Sequence, residues 1–343
     1  MPTDRLKRVE AAVEAERVRQ GVVGMTAAVS VRGAITWVSA FGKSDLENDF
    51  ATKPETLFRT GSLAKPITAV AALQLWERGK LDLDVPVQNY VPAFPEKPWK
   101  VTVRMLLGHL GGIRHYEGDE IDSTKHYSTI TAPLRIFSVD PLAHEPRTKY
   151  LYSSYGYNLA GAAVEGAARM PFMEYLRENI LTPAKMSSTR DDNAREIVPN
   201  RTRWYSRTRD GRVINANLAD TSNKVPGGGL VTTVEDLLRF AAAWQQEKLL
   251  KRATMQMQAE PQTLASGTPT VYGLGWNVAK IAGRPSVSHS GSQQGCKTIL
   301  AMFPESGLAV AVMTNSDFAE PAQFVEVILK TLDSIGGVVT RPH

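Results

Sequence analysis

Cysteine is nearly absent from this chain. Cys296 stands alone among 343 residues, so no internal disulfide can form, thiolate-built metal clusters are excluded, and stability has to come from packing. Excess charge of either sign is scarce too: 40 Lys and Arg against 35 Asp and Glu leave +5, too mild over this length to drive binding to nucleic acid. Long apolar runs are missing. The most hydrophobic stretch, Leu308 to Met313, falls far short of the roughly 20 residues of a spanning helix, so no integral membrane segment is expected. Internal repeats and low-complexity linkers are absent, as are Walker and dinucleotide fingerprints. Gly291, Ser292, Gln293, Gln294, Gly295 has its serine misplaced for a G-x-S-x-G nucleophile elbow. His109 and His115 flank a Gly-rich turn without a third ligand at suitable spacing, so neither a metal nor any other cofactor is expected.

What is present is the composition of a globular protein with a sizeable core, 43% hydrophobic and 22% charged. At roughly 150 residues per domain the length suggests about two domains. The opening stretch carries Asp4, Arg5, Lys7, Arg8 and Glu10 without an apolar core, so it does not read as a secretory signal. A cytoplasmic location is expected if the chain is complete, and a periplasmic or secreted one if a leader was removed.

Periodicity organises the chain. Residues 4 to 20 place Leu6, Val9, Val13 and Val18 at near-helical spacing, ending at Gly21. Met25 to Val31 and Ala34 to Phe41 read as strands joined by a tight turn at Arg32 and Gly33. The same pattern returns late, with Lys297 to Phe303 and Leu308 to Thr314 as a hairpin and a final helix carrying Phe324, Val325, Ile328, Leu329 and Leu332. Between them, helical patterns cover Thr68 to Arg78, Val103 to His109, Asn158 to Ala168, Pro171 to Ile180 and Val234 to Gln245, the last with a capping box from Thr232 to Glu235. The expected fold is α/β (α+β): a sheet domain from residues 1–60 and 265–343, with a mainly helical domain, residues 61–264, inserted between them. Arg201, Arg203, Arg207, Arg209 and Arg212 crowd one stretch beside Trp204 and Tyr205. They are expected on an edge strand or as a cationic rim for an anionic substrate, not as a nucleic-acid patch.

The chemistry concentrates at Ser62 and Lys65. They form the only S-x-x-K in the chain, and at i and i+3 on one helix their side chains share a face, so the amine can reach the hydroxyl. A nucleophile beside its activator is one reading; a helix cap followed by a solvated charge is the other. Ser62 at a helix start also meets unpaired N–H groups that favour developing negative charge.

Two further blocks decide between them: Tyr150 to Asn158 (YLYSSYGYN), and His289, Ser290, Gly291. With them the sequence resembles the serine β-lactamase and penicillin-binding protein superfamily, in its class C-like branch of peptidases and family VIII-type esterases. There S-x-x-K, Y-x-N and [KH]-[ST]-G follow in this order. The runs Leu73 to Asp84, Thr102 to Tyr116 and Gly227 to Leu237 extend the resemblance over most of the chain, toward the mitochondrial serine β-lactamase-like members.

The resemblance implies a cofactor-free acyl-enzyme mechanism in a cleft between the domains. Ser62 would be the nucleophile, Lys65 its base and Tyr152 the proton relay, with the oxyanion held by the N–H groups of Ser62 and Ser292. His289, Ser154, Ser290 and Gly291 would shape the substrate site. Two positions depart from the pattern. Ser154 stands where the motif has asparagine, and His289 stands where β-lactamases carry lysine, which makes it a weaker anchor for a substrate carboxylate at neutral pH. The expected activity is hydrolysis of a small ester, amide or peptide, with esterase or peptidase chemistry ahead of β-lactamase or D-Ala-D-Ala carboxypeptidase chemistry. An assembly-forming scaffold with this fold is the alternative from another class, and a homo-oligomer is left open. If His289 carries charge, activity should respond near its ordinary titration.

Overall fold

The computed structural model describes residues 3–334; the outermost residues of the expected sheet domain, 1–2 and 335–343, lie outside that range. Helix α1 spans Thr3–Gln20 and is followed by strands β1 (Gly24–Val31), β2 (Ala34–Asp45) and β3 (Phe50–Ala51). Late in the chain come β4 (Asn277–Ile281), β5 (Arg284–Gln293), β6 (Cys296–Phe303) and β7 (Leu308–Thr314). These seven strands form one antiparallel sheet in the order β3-β2-β1-β7-β6-β5-β4. The two chain segments meet where β1 pairs with β7, Met25 opposite Thr314 and Val31 opposite Leu308. The β1–β2 turn is closed by Arg32 and Gly33, both at positive φ (49° and 79°), the conformation a two-residue hairpin needs.

Side chains alternate across this sheet. One face presents Ala27, Val29, Ile299, Ala301, Val310 and Val312 to α1 and to a terminal helix, α5 (Pro321–Ser334), which buries Phe324, Val325, Ile328, Leu329 and Leu332. Val9 and Val13 of α1 enter the same core, whereas Val18 is 63% exposed, because five residues on from Val13 it points away from the core-facing side of the helix. The opposite face, with Leu300, Met302, Ala309, Ala311 and Met313, packs against the helical region.

The heart of that region is α2 (Ala64–Glu77), buried from Ala64 to Leu75. Its sequence, AKPITAVAALQL, is apolar all round, as a helix with neighbours on every side requires. It packs against α3 (Ser154–Ala168), where Gly161 admits Pro226: a Cβ there would fall 2.5 Å or less from the proline ring. Helix α4 (Val234–Gln245) lies against the sheet. Its cap differs from the expected one: Thr233 Oγ1 accepts the N–H of Asp236 at 3.2 Å, while the Thr232 hydroxyl turns to Thr189 at 2.6 Å. The helix read over 171–180 is a short α-segment, Phe172–Leu176, continued by a π-turn over Arg177–Leu181.

The arginine-rich stretch forms a small hairpin, Tyr205–Arg207 with Val213–Asn215. Three of the charges meet acids: Arg201 meets Asp192 (3.0 Å), Arg203 meets Asp45 (3.1 Å) and Arg212 meets the neighbouring Asp210 (3.0 Å). Arg207 lies over the Phe318 ring at 3.8 Å. Arg203, Arg207, Arg209 and Arg212 are exposed on and beside this hairpin.

One buried ion pair ties the helical region to the sheet beside the site. Arg59 Nε donates to Asp192 Oδ2 at 2.7 Å, and its other nitrogens reach the carbonyls of Gln294 (3.2 Å) and Ala219 (3.3 Å). Both partners are almost fully buried, so breaking the pair strands a charge away from water. Asp192→Ala is expected to cost about 3–5 kcal/mol, measured as a lowered urea midpoint. Among the described residues no helix is long and apolar enough to cross a membrane.

Candidate active site

Ser62 sits in the 3₁₀ turn Gly61–Leu63 that leads directly into α2. Two close approaches hold this turn against β5. Gly61 has φ +50°, and a Cβ there would lie 2.6 Å from the Ser292 nitrogen. A Cβ on Gly291 would lie 2.0 Å from the Thr60 carbonyl oxygen and 2.3 Å from Thr298 Oγ1, which itself donates to that carbonyl at 2.8 Å. Glycine at 291 is therefore a steric requirement of bringing the serine turn to the strand edge, and that approach puts the backbone N–H of Ser292 beside the Ser62 turn.

Lys65, one turn into the helix, is fully buried. Its Nζ lies 2.9 Å from Ser62 Oγ, 3.0 Å from Ser154 Oγ and 2.7 Å from the Gly227 carbonyl oxygen. Burial pushes its pKa well below that of an ordinary lysine. The Tyr152 ring covers the amine at 4.8 Å and lines the same cleft as Ser62. Burial raises the Tyr152 pKa well above that of a free phenol, which keeps it protonated. Ser154, the departure from the asparagine pattern, still contacts the lysine.

The segment carrying Tyr152 and Ser154 is positioned by two histidines. Ser153 N–H donates to His109 Nδ1 and Ser154 N–H to His115 Nδ1, each at 3.1 Å, while Ser153 Oγ caps α3 by accepting from the Gly156 N–H at 2.9 Å. The His109 ring stacks on Tyr152 with centroids 4.2 Å apart. Both histidines are spent on backbone N–H groups, and among the described residues no group of three His, Cys, Asp or Glu side chains could hold a metal ion. The other tyrosines of that stretch serve packing: Tyr155 donates to Glu120 (2.9 Å) and Tyr157 to the Leu107 carbonyl (2.6 Å).

His289 departs from the cationic anchor considered from sequence. It is buried, its Nδ1 lies 2.6 Å from the Ser290 carbonyl oxygen, and its Nε2 lies 2.8 Å from the Tyr272 hydroxyl. The carbonyl can only accept, so Nδ1 carries the proton and Nε2 takes the Tyr272 O–H. Burial, with Lys65 nearby, pushes the His289 pKa down to about 3, so the ring is neutral at physiological pH and a response near the ordinary histidine titration is not expected.

These groups open onto one cleft of about 370 Å³. Of the residues singled out in the sequence, Ser62, Tyr152, Ser154, His289, Ser290 and Ser292 line it; Lys65 forms its floor through Ser62 and Ser154, and Gly291 acts through the close contact behind it. Sequence reasoning missed Asn277, Gln293, Ile121 and the Gly227 carbonyl. Asn277 carries no local signal, whereas the Gly227 to Gly229 run marked a close backbone approach without revealing its partner.

The fold and this serine–lysine cleft define a β-lactamase-fold serine hydrolase. The Beta-lactamase family model matches residues 9–329, and the chain belongs to that family. It is similar to the mitochondrial serine beta-lactamase-like protein LACTB of Homo sapiens, 29% identical, with 92% of this chain and 74% of that protein covered. Among solved structures, D-amino acid amidase from Ochrobactrum anthropi SV3 matches with a TM-score of 0.85 at 24% identity, covering 97% of this chain and 100% of that one. The octameric penicillin-binding protein homologue from Pyrococcus abyssi matches with a TM-score of 0.82 at 22% identity, covering 96% and 77%.

Two outcomes follow from the geometry. Gly291→Ala forces the serine turn from the strand and is expected to cost about 3 kcal/mol, read as a lowered denaturation midpoint with loss of active-site labelling. The second concerns acid. His115 and His289, held down to about 4 and about 3, stay neutral in the folded chain while the unfolded chain protonates them near 6.5. The unfolded state then binds more protons at these two groups, so their contribution to stability is full above about pH 6.5 and is lost steadily as pH drops toward 3 to 4; urea midpoints across this range measure it.

Proposed function

We propose that this hydrolase acts on a small ester, amide or peptide through an acyl-Ser62 intermediate, with esterase or peptidase chemistry ahead of β-lactam turnover. The observation that carries the reading is the buried Lys65 amine 2.9 Å from Ser62 Oγ. A neutral amine has two N–H bonds and one lone pair. The Gly227 carbonyl and Ser154 Oγ accept the two N–H bonds, which aims the lone pair at the Ser62 hydroxyl. Lys65 takes that proton as Ser62 Oγ bonds to the acyl carbon, and the N–H groups of Ser62 and Ser292 stabilise the oxyanion. The proton passes to the leaving group through the Tyr152 hydroxyl, whose ring covers the Lys65 amine in the same cleft; water then enters by the same route in reverse and frees the acid. Ser154 and Ser290 orient the substrate, and His289, with Tyr272, fixes the strand edge that Ser290 and Ser292 present.

Ser62→Ala is expected to abolish covalent labelling by a fluorophosphonate or penicillin probe seen by intact-mass measurement; labelling that persisted would remove Ser62 as nucleophile. Turnover is expected to rank p-nitrophenyl butyrate above both a D-Ala-D-Ala peptide and nitrocefin, and nitrocefin running fastest would reverse the ranking. The Pyrococcus neighbour is described as octameric, which supports testing for a homo-oligomer in the same samples by light scattering. Large assemblies without any acylation would favour a scaffold over an enzyme.

A further inference from the structure

The cleft that holds Ser62 has a composition unlike the charged sites elsewhere on the molecule. Its lining consists of serines, tyrosines, histidines, two glycines, Ile121, Asn277 and Gln293; among the described residues that line it there is no Lys, Arg, Asp or Glu. Lys65 lies beneath the lining, its amine engaged by Ser62, Ser154 and the Gly227 carbonyl and its basicity lowered by burial, and the other nearby cations are committed away from the cleft. Lys224 is buried behind the wall, donating to the Ile121 carbonyl at 2.5 Å and lying over the Tyr116 ring at 5.2 Å. Arg59 is locked on Asp192, and Lys297, paired with Ser292 in the ladder, does not line the cleft. Both nitrogens of His289 are bonded inside the protein, as is Nδ1 of His115.

Resting on Ser62 as the nucleophile, we propose that this cleft selects substrates with no charge next to the scissile bond: neutral esters, internal amides or amidated ends, with a free carboxylate on either side of the bond disfavoured. A carboxylate entering the cleft loses water and meets no cation, the situation that makes an unpaired charge costly. A neutral acyl or leaving group loses little, because the exposed hydroxyls of Ser290 and Ser292 and the Asn277 amide offer uncharged hydrogen-bonding groups in return.

The test uses substrate pairs that share one scissile bond. Mono-p-nitrophenyl glutarate is compared with its methyl ester, and acetyl-D-Ala-D-Ala with its C-terminal amide. The uncharged member of each reactive pair is expected to have a kcat/KM at least about tenfold higher, and the ratio should shrink as pH falls toward the pKa of the substrate carboxylate. Ser290→Lys, at an exposed position on the cleft rim, should shift the ratio toward the charged member, and His289→Lys should do the same from inside. Equal or faster turnover of the charged member by the unaltered protein would overturn the selectivity while leaving the nucleophile in place. No turnover of any member together with no acylation of Ser62 would overturn the nucleophile reading and the selectivity with it.

Discussion

A buried lysine amine governs how this molecule is built. To keep Lys65 buried and still paired, its nitrogen needs hydrogen-bond partners from three separate places: the Ser62 turn, the start of α3 at Ser154, and the Gly227 carbonyl. Those contacts join the end of the early sheet strands, the middle helix and the glycine run before α4. An exposed lysine would impose none of this; the enclosed one has its basicity lowered by the burial that the rest of the fold maintains.

The strand edge supplies the other half. Strand β5 pairs with β6 along most of its length, but its pairing with β4 stops at Ser288. Beyond that point the edge from His289 to Gln293 is free to receive the Ser62 turn. Gly291 is the price of that contact, and the Arg59–Asp192 pair anchors the adjacent chain so that the contact is rigid. Positioning thus falls to backbone and buried pairs, while the surface of the cleft is left to hydroxyls and amides.

Much of this was legible in the sequence, for a local reason. Ser62 and Lys65 are three residues apart on one helix, so their meeting needed no tertiary knowledge, and the alternating runs of β1, β2, β6 and β7 announce themselves through β-branched residues. Strands β4 and β5 did not, because NVAKI and RPSVSHSGSQ are too polar and irregular to show a period. The charge state of His289 depends on burial by Tyr272 and on Lys65, which come from distant parts of the chain. The partner of Arg203 was hidden for the same reason: Asp45 is close in space but remote in sequence. The cap of α4 moved by one residue because Thr232 and Thr233 are equally able, and Thr189 claimed the first.

The distance along the chain between Ser62 and Ser292 has a temporal consequence. During synthesis the serine emerges early, yet the strand that presents Ser290 to Gln293, and the β6 and β7 partners that hold that strand in the sheet, come only in the last fifth or so of the chain. The pairing is non-local and closes late. A growing chain therefore carries Ser62 without the strand edge its turn packs against, and under the proposed mechanism the serine would stay chemically quiet until nearly the whole polypeptide has been made.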